Sequence, residues 1–134
     1  MRVLVDTSYL FDFMDRPGKL LGCERRFLSA RGPEFYASAV SLWEMRLKHN
    51  ARHPSGERKS RFSPDDILTA LEDQDVTLLP MTVRHAAGGL DVPLDHKDPF
   101  DELLLQAQEE DLRLLTVDRR LAEHPLAVAA HEHE

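Results

Sequence analysis

The chain has 134 residues, of which 42% are hydrophobic and 31% charged, the balance of an ordinary globular protein rather than of a disordered or fibrous one. Its formal net charge of −7 argues against broad, non-specific adhesion to nucleic acid. No stretch approaches the roughly 18 apolar residues of a membrane span, and a single cysteine, Cys23, excludes an internal disulfide and a cysteine-built zinc site.

Domains of about 100 to 150 residues are the commonest size, so one domain covering residues 1–134 is expected. The first apolar run starts almost at Met1, with no signal peptide before it, and a cytoplasmic protein is the simplest expectation. That run, Arg2 to Val5, reads as a buried strand. Ser8 to Arg16 carries Leu10, Phe11, Phe13 and Met14 at helical spacing and is stopped by Pro17-Gly18. A second helix is expected from Lys19 to Ala30, ended near Gly32-Pro33, and then a short strand over Glu34 to Ala37. Ser38 or Ser41 caps the next helix, which runs to about Asn50. The segment ARHPSGERKSRF reads as a polar, basic loop. Ser63-Pro64, followed by Asp65-Asp66, is a strong helix start, and that helix reaches about Asp73. Val76 to Leu79 is the next strand, Val83 to Ala87 a short helix stopped by Gly88-Gly89, and Leu90 to Lys97 a loop. Pro99 opens a helix through Glu110. Leu112 to Val117 forms a strand, Arg119 to Glu123 a final turn, and Leu126 to Ala129 an edge strand before the polar tail. Strands separated by helices give an α/β fold with a mostly parallel sheet.

Four acids fall where these elements begin or end: Asp6 after RVLV, Glu44 in SLWEM, Asp101 in DPFDELL and Asp118 closing LRLLTVD. In an open α/β sheet, ligands bind in the crevice beyond the carboxyl ends of the strands. Carboxylates gathered there repel one another by several kcal/mol per pair at an effective dielectric of ~20, so protons or divalent cations must neutralise them. Oxygen-only ligation favours Mg²⁺ or Mn²⁺ over zinc.

Each acid also has a structural reading. Asp98-Pro99-Phe100-Asp101 is good helix-start chemistry, with Asp98 as cap and Asp101 as a partner of the helix dipole. Asp6 and Asp118 can cap the turns that follow them, and Ser41 with Glu44 has the spacing of a capping box. Thr116 lies two residues before Asp118, on the same side of the expected strand, placed to bond a carboxylate or a metal-bound water. Glu102 is either an outer contributor or solvated. Arg46, Lys48, Arg52, Arg58, Lys59 and Arg61 are balanced in their loop only by Glu57, and they read either as a phosphate-holding cluster or as a solvated loop. The histidines form no zinc pattern, and there is no phosphate-binding glycine loop, GxSxG elbow or CxxC pair.

Taken together, VDTSYL, SAVSLWEM, DHKDPFDELLLQAQ and LLTVD, in this order and across nearly the whole chain, resemble the PIN-domain ribonucleases, and more closely the VapC-like toxins of prokaryotic toxin-antitoxin pairs. The resemblance implies a three-layer α/β/α fold around a mostly parallel sheet. It implies a Mg²⁺- or Mn²⁺-dependent endoribonuclease whose catalytic and metal-binding acids correspond to Asp6, Glu44, Asp101 and Asp118. Asp6 and Asp101 match direct ligands, Glu44 and Asp118 ligands or water-positioning groups, and Thr116 the polar residue of the last motif. His96 and Asp98 match the approach to the third motif in a positioning role. RNA is the implied substrate, and a cognate antitoxin and a second copy in a homodimer are the implied partners. In one departure, Glu102 stands where many relatives carry a basic residue, which adds negative charge beside the third acid. Two other classes compete: a catalytically silent PIN-like module that docks RNA or protein through the Arg46 to Arg61 region, and a receiver-like domain, which would need a lysine where Arg119-Arg120 follow Asp118.

Overall fold

Five short strands form one sheet in the order β3-β2-β1-β4-β5: β1 (Arg2–Val5), β2 (Glu34–Ser38), β3 (Thr77–Leu79), β4 (Arg113–Leu115) and β5 (Ala127–Val128). In this computed structural model all residues are described except 16, 52–61, 93–99, 117, 119–120, 122 and 131–134, together with the side chains of 14, 15, 17, 100 and 101. Every strand pairing is parallel. The register sets Leu4 beside Tyr36 and Leu114, and Val5 beside Leu115. Strands buried on both faces need apolar residues at successive positions, which is why VLV and LL stand where they do.

Alternation along the strands divides the core. Val3, Val5, Ala37 and Leu115 face one side, where they pack with Tyr9, Leu10, Phe27, Met45, Ile67 and Leu71. Leu4 and Leu114 face the other, against Leu103, Leu104 and Ala107. The first side is covered by α1 (Thr7–Asp15), α2 (Gly22–Leu28), α3 (Ala39–Asn50) and α4 (Pro64–Asp73), and the second chiefly by α6 (Phe100–Glu110), against which α5 (Val83–Ala87) packs. The result is the three-layer α/β/α arrangement around an all-parallel sheet.

Local chemistry fixes the ends. Ser63 closes a reciprocal capping box with Asp66 at the start of α4. Asp75 and Asp111, at φ 58° and 56°, turn α4 into β3 and α6 into β4. In each, the next amide reaches back to the helix, Val76 to Leu71 at 3.0 Å and Leu112 to Ala107 at 2.8 Å, the bond of a Schellman turn.

Two elements differ from the sequence-based expectation. Only Gly22–Leu28 of the expected second helix is α-helical, because Pro17–Lys19 is a short 3₁₀ turn and Leu21 is the cap, its amide held by Glu24 Oε1 at 2.7 Å. β4 stops at Leu115 instead of running towards residue 117, since β1 ends at Val5 and offers no further ladder.

Candidate active site

The chain steps outward from β1 to β2 and β3, then crosses to β4 and β5 on the other flank. The strand order therefore reverses between β1 and β4, and the crevice beyond their carboxyl ends is where an open α/β sheet binds ligands. Asp6 follows β1 and Thr116 follows β4, side by side: the Asp6 amide donates to the Leu115 carbonyl at 3.0 Å.

Asp6 is fully buried, with 0% of its surface exposed. The Thr116 hydroxyl donates to its Oδ2 at 2.7 Å and accepts from the Asp118 amide at 3.1 Å, so the amide fixes the hydroxyl proton on Asp6. Oδ1 has no hydrogen-bond partner. Burial raises the carboxyl pKa of Asp6; the Thr116 hydroxyl and the amides of Thr7 and Ser8 oppose the rise, and the charge of Asp118 adds to it. An ionisable oxygen stripped of water and left unbonded is an expensive arrangement unless a proton or a cation completes it.

Beside Asp6, Thr7 Oγ1 and Ser41 Oγ share a buried hydrogen bond of 2.7 Å, tying the start of α1 to the first turn of α3. Glu44 lies three residues after Ser41, on the same face of that helix. Ser38 is the actual cap of α3, accepting from the Val40 amide at 3.0 Å. Ser41 is thus inside the helix, and the expected Ser41–Glu44 capping box is not formed. On the α6 side, Ser38 also donates to Gln106 Oε1. Gln106 is completely buried, and its amide nitrogen lies 3.5 Å from the Pro80 carbonyl and 3.4 Å from His85 Nδ1. His85 Nε2 in turn meets Glu110 Oε1 at 2.9 Å.

A family model described as "PIN domain" matches residues 3–125 of the sequence. The chain belongs to the PIN domain family. A toxin-antitoxin complex from Klebsiella pneumoniae contains a chain of similar fold, with a TM-score of 0.65 at 18% identity, covering 96% of this chain and 97% of that one. A second similar structure is VapBC2 from Rickettsia felis bound to a DNA fragment from its promoter, with a TM-score of 0.63 at 12% identity over 96% and 97% of the two chains. No curated protein sequence matches.

Within this PIN domain, Asp6, Thr116 and Asp118 come together at the switch point, and Glu44 lies on the α3 face that is bonded to Thr7. Asp118 lies beyond the end of β4, linked to Thr116 by the local amide-to-hydroxyl bond rather than by strand alternation. Asp101 is the second residue of α6, whose outgoing turn feeds β4. A helix that feeds a parallel strand runs against the strand direction, which puts its first turn at the same carboxyl edge. His96, Asp98, Arg52, Arg58, Lys59 and Arg61 lie outside the described residues, and Arg46 is exposed on α3. PIN nucleases generally use divalent metals. Among the described residues no three His, Cys, Asp or Glu side chains are grouped closely enough to hold a metal ion. The chemistry of the donors nonetheless fits a hard cation: oxygen ligands only, one of them the orphaned, buried Oδ1 of Asp6. The sequence named Ser38 and Ser41 only as candidate helix caps and did not single out Thr7, Gln106 or His85. Their signal was a polar residue interrupting an apolar face, as Gln106 does in LLLQAQ.

Proposed function

We propose that this PIN domain is a Mg²⁺- or Mn²⁺-dependent endoribonuclease and the toxin of a toxin-antitoxin pair. The observation that carries the reading is the Asp6 carboxylate, fully buried at the switch point, with Oδ2 held by Thr116 and Oδ1 unpartnered. Asp6 and Asp101 would hold the ion, with Glu44 and Asp118 as further ligands or as acceptors for the attacking water. Bound there, a divalent ion would supply Lewis-acid polarisation of the phosphodiester and lower the pKa of a bound water.

The chain's own residues do the rest. Thr116 fixes the carboxylate plane of Asp6 through Oδ2 and leaves Oδ1 unbonded, and the Asp118 amide prevents the hydroxyl from rotating away. The Thr7–Ser41 bond holds α3, and with it Glu44, against the start of α1. Asp98 has a positioning role at the approach to α6. Arg46, Arg52, Arg58, Lys59 and Arg61 would bind the RNA backbone, offsetting a chain that is acidic overall. A protein partner is supported by two observations: the similar chains come from toxin-antitoxin complexes, and α3 exposes Trp43 and Leu47 one turn apart, a large apolar pair in water. A homodimer and a cytoplasmic location complete the proposal; no helix among the described residues is long and apolar enough to cross a membrane.

The test is incubation of partner-free protein with a panel of transfer and ribosomal RNA fragments in Mg²⁺ or Mn²⁺. Discrete cuts that disappear on chelation support the reading. Binding of metal and RNA without any cutting would favour a silent binding module instead.

A further inference from the structure

Among the described residues, two buried side-chain polar atoms lack a hydrogen-bond partner, and both are carboxylate oxygens: Asp6 Oδ1 and Glu102 Oε2. Their places in the fold are related. Asp6 continues the strand face of Leu4, which packs on α6, and Ser38 continues that of Tyr36, which joins the same cluster. The β1–β2 register, two residues beyond Leu4 and Tyr36, sets Asp6 level with Ser38. Ser38 is bonded to Gln106, which fixes where α6 crosses the sheet edge. Glu102 stands four residues before Gln106, one helical turn nearer the carboxyl edge and on the same face of the helix. Glu102 is thus placed on the turn of α6 next to the one that Ser38 holds, over the side of the sheet that Leu4 and Tyr36 face. Ordinary solvation does not explain its orphaned oxygen, because Oε2 is shut off from water while the rest of the side chain is only half-buried.

We propose that Glu102 is a further carboxylate of the cation site, its Oε2 sharing with Asp6 Oδ1 the work of holding a hard divalent ion on the α6 side of the crevice. The inference rests on the nuclease reading of that crevice. It makes Glu102 a ligand or a holder of a cation-bound water, where a basic side chain would instead neutralise the acids itself. With Glu102 the site carries one more negative charge than the four acids supply, so it demands more of the cation and binds it more tightly.

The experiment is calorimetric titration of the intact, metal-stripped protein with Mn²⁺, comparing wild type, Glu102→Gln, Glu102→Asp and Asp6→Asn, with thermal melts of each metal-free protein alongside. Glu102→Gln should weaken Mn²⁺ binding by about tenfold or more, with a metal-free melting temperature equal to or above that of wild type, and Glu102→Asp should fall between the two. If Asp6→Asn weakens binding and both Glu102 variants bind as wild type does, the role of Glu102 is overturned and the nuclease reading stands. If Asp6→Asn also binds Mn²⁺ as wild type does, the cation-site reading itself fails, and the Glu102 proposal with it.

Discussion

Burial raises the proton affinity of Asp6 in the folded chain, and Thr116 with the amides of Thr7 and Ser8 only partly offsets it. A raised carboxyl pKa means that the folded state holds a proton which the unfolded state releases at about pH 4. The stabilisation is therefore complete below that pH and is lost as the pH rises through the folded value. Metal-free protein should accordingly melt at progressively lower temperature over that rise, and Asp6→Asn should remove this contribution to the slope; melts at fixed ionic strength check both. Thr116→Val is the complementary change. It leaves Asp6 without its hydroxyl donor and the Asp118 amide without its acceptor, at an expected cost of about 1–3 kcal/mol, while Thr116→Ser keeps both bonds and should recover most of the loss in a denaturant titration. Much of this was legible in the sequence. An acid directly after a buried strand has few structural uses, and Thr116 was correctly read as a partner for a carboxylate. What the sequence hid was which oxygen stays unbonded, because that depends on a hydroxyl arriving from a strand 110 residues away.

The helices around the carboxyl edge of the sheet are joined by buried polar links rather than by packing alone. α1 is tied to α3 through Thr7 and Ser41, and α3 to α6 through Ser38 and Gln106. Gln106→Leu would keep the volume of a core position while removing the Ser38, Pro80 and His85 contacts together. It should cost on the order of 1–3 kcal/mol, and a double-mutant cycle with Ser38→Ala should show coupling, since the two residues share a bond. Additive effects in that cycle would show that the link contributes nothing to holding α3 against α6. At this scale the sequence was informative wherever local chemistry sets a boundary, as at Ser63-Pro64 and Gly88-Gly89. It was less so where a partner decides: β4 ends where β1 ends, and the cap of α3 is Ser38 because β2 runs one residue further than its apolar pattern indicates. The capping box read from Ser41 and Glu44 failed for that reason, which removes one structural explanation of Glu44.

Across the whole molecule, the 3-2-1-4-5 strand order sets Asp6 and Thr116, which follow neighbouring strands, side by side at the carboxyl edge of the sheet. An alternation of strands and helices already implied a parallel sheet, but the order of strands depends on which buried faces match, and that was out of reach of a single sequence. Charge is the second property of this scale. With a net charge of −7, the proposed RNA binding would draw its backbone contacts from a local basic run. Reversing Arg58, Lys59 and Arg61 to Glu should weaken RNA binding and flatten its dependence on salt; unchanged affinity and slope would reduce that run to a solvated loop. The central claim is that a buried carboxylate is kept at the switch point for function at the expense of stability, and Asp6→Asn tests it most directly when RNA cleavage in Mn²⁺ and the metal-free melting temperature are measured on one preparation. The account predicts that cleavage is lost and that the variant is stabilised near neutral pH by about 1 kcal/mol. Cleavage that persists at the wild-type rate, or a folded variant that melts well below wild type, would contradict it.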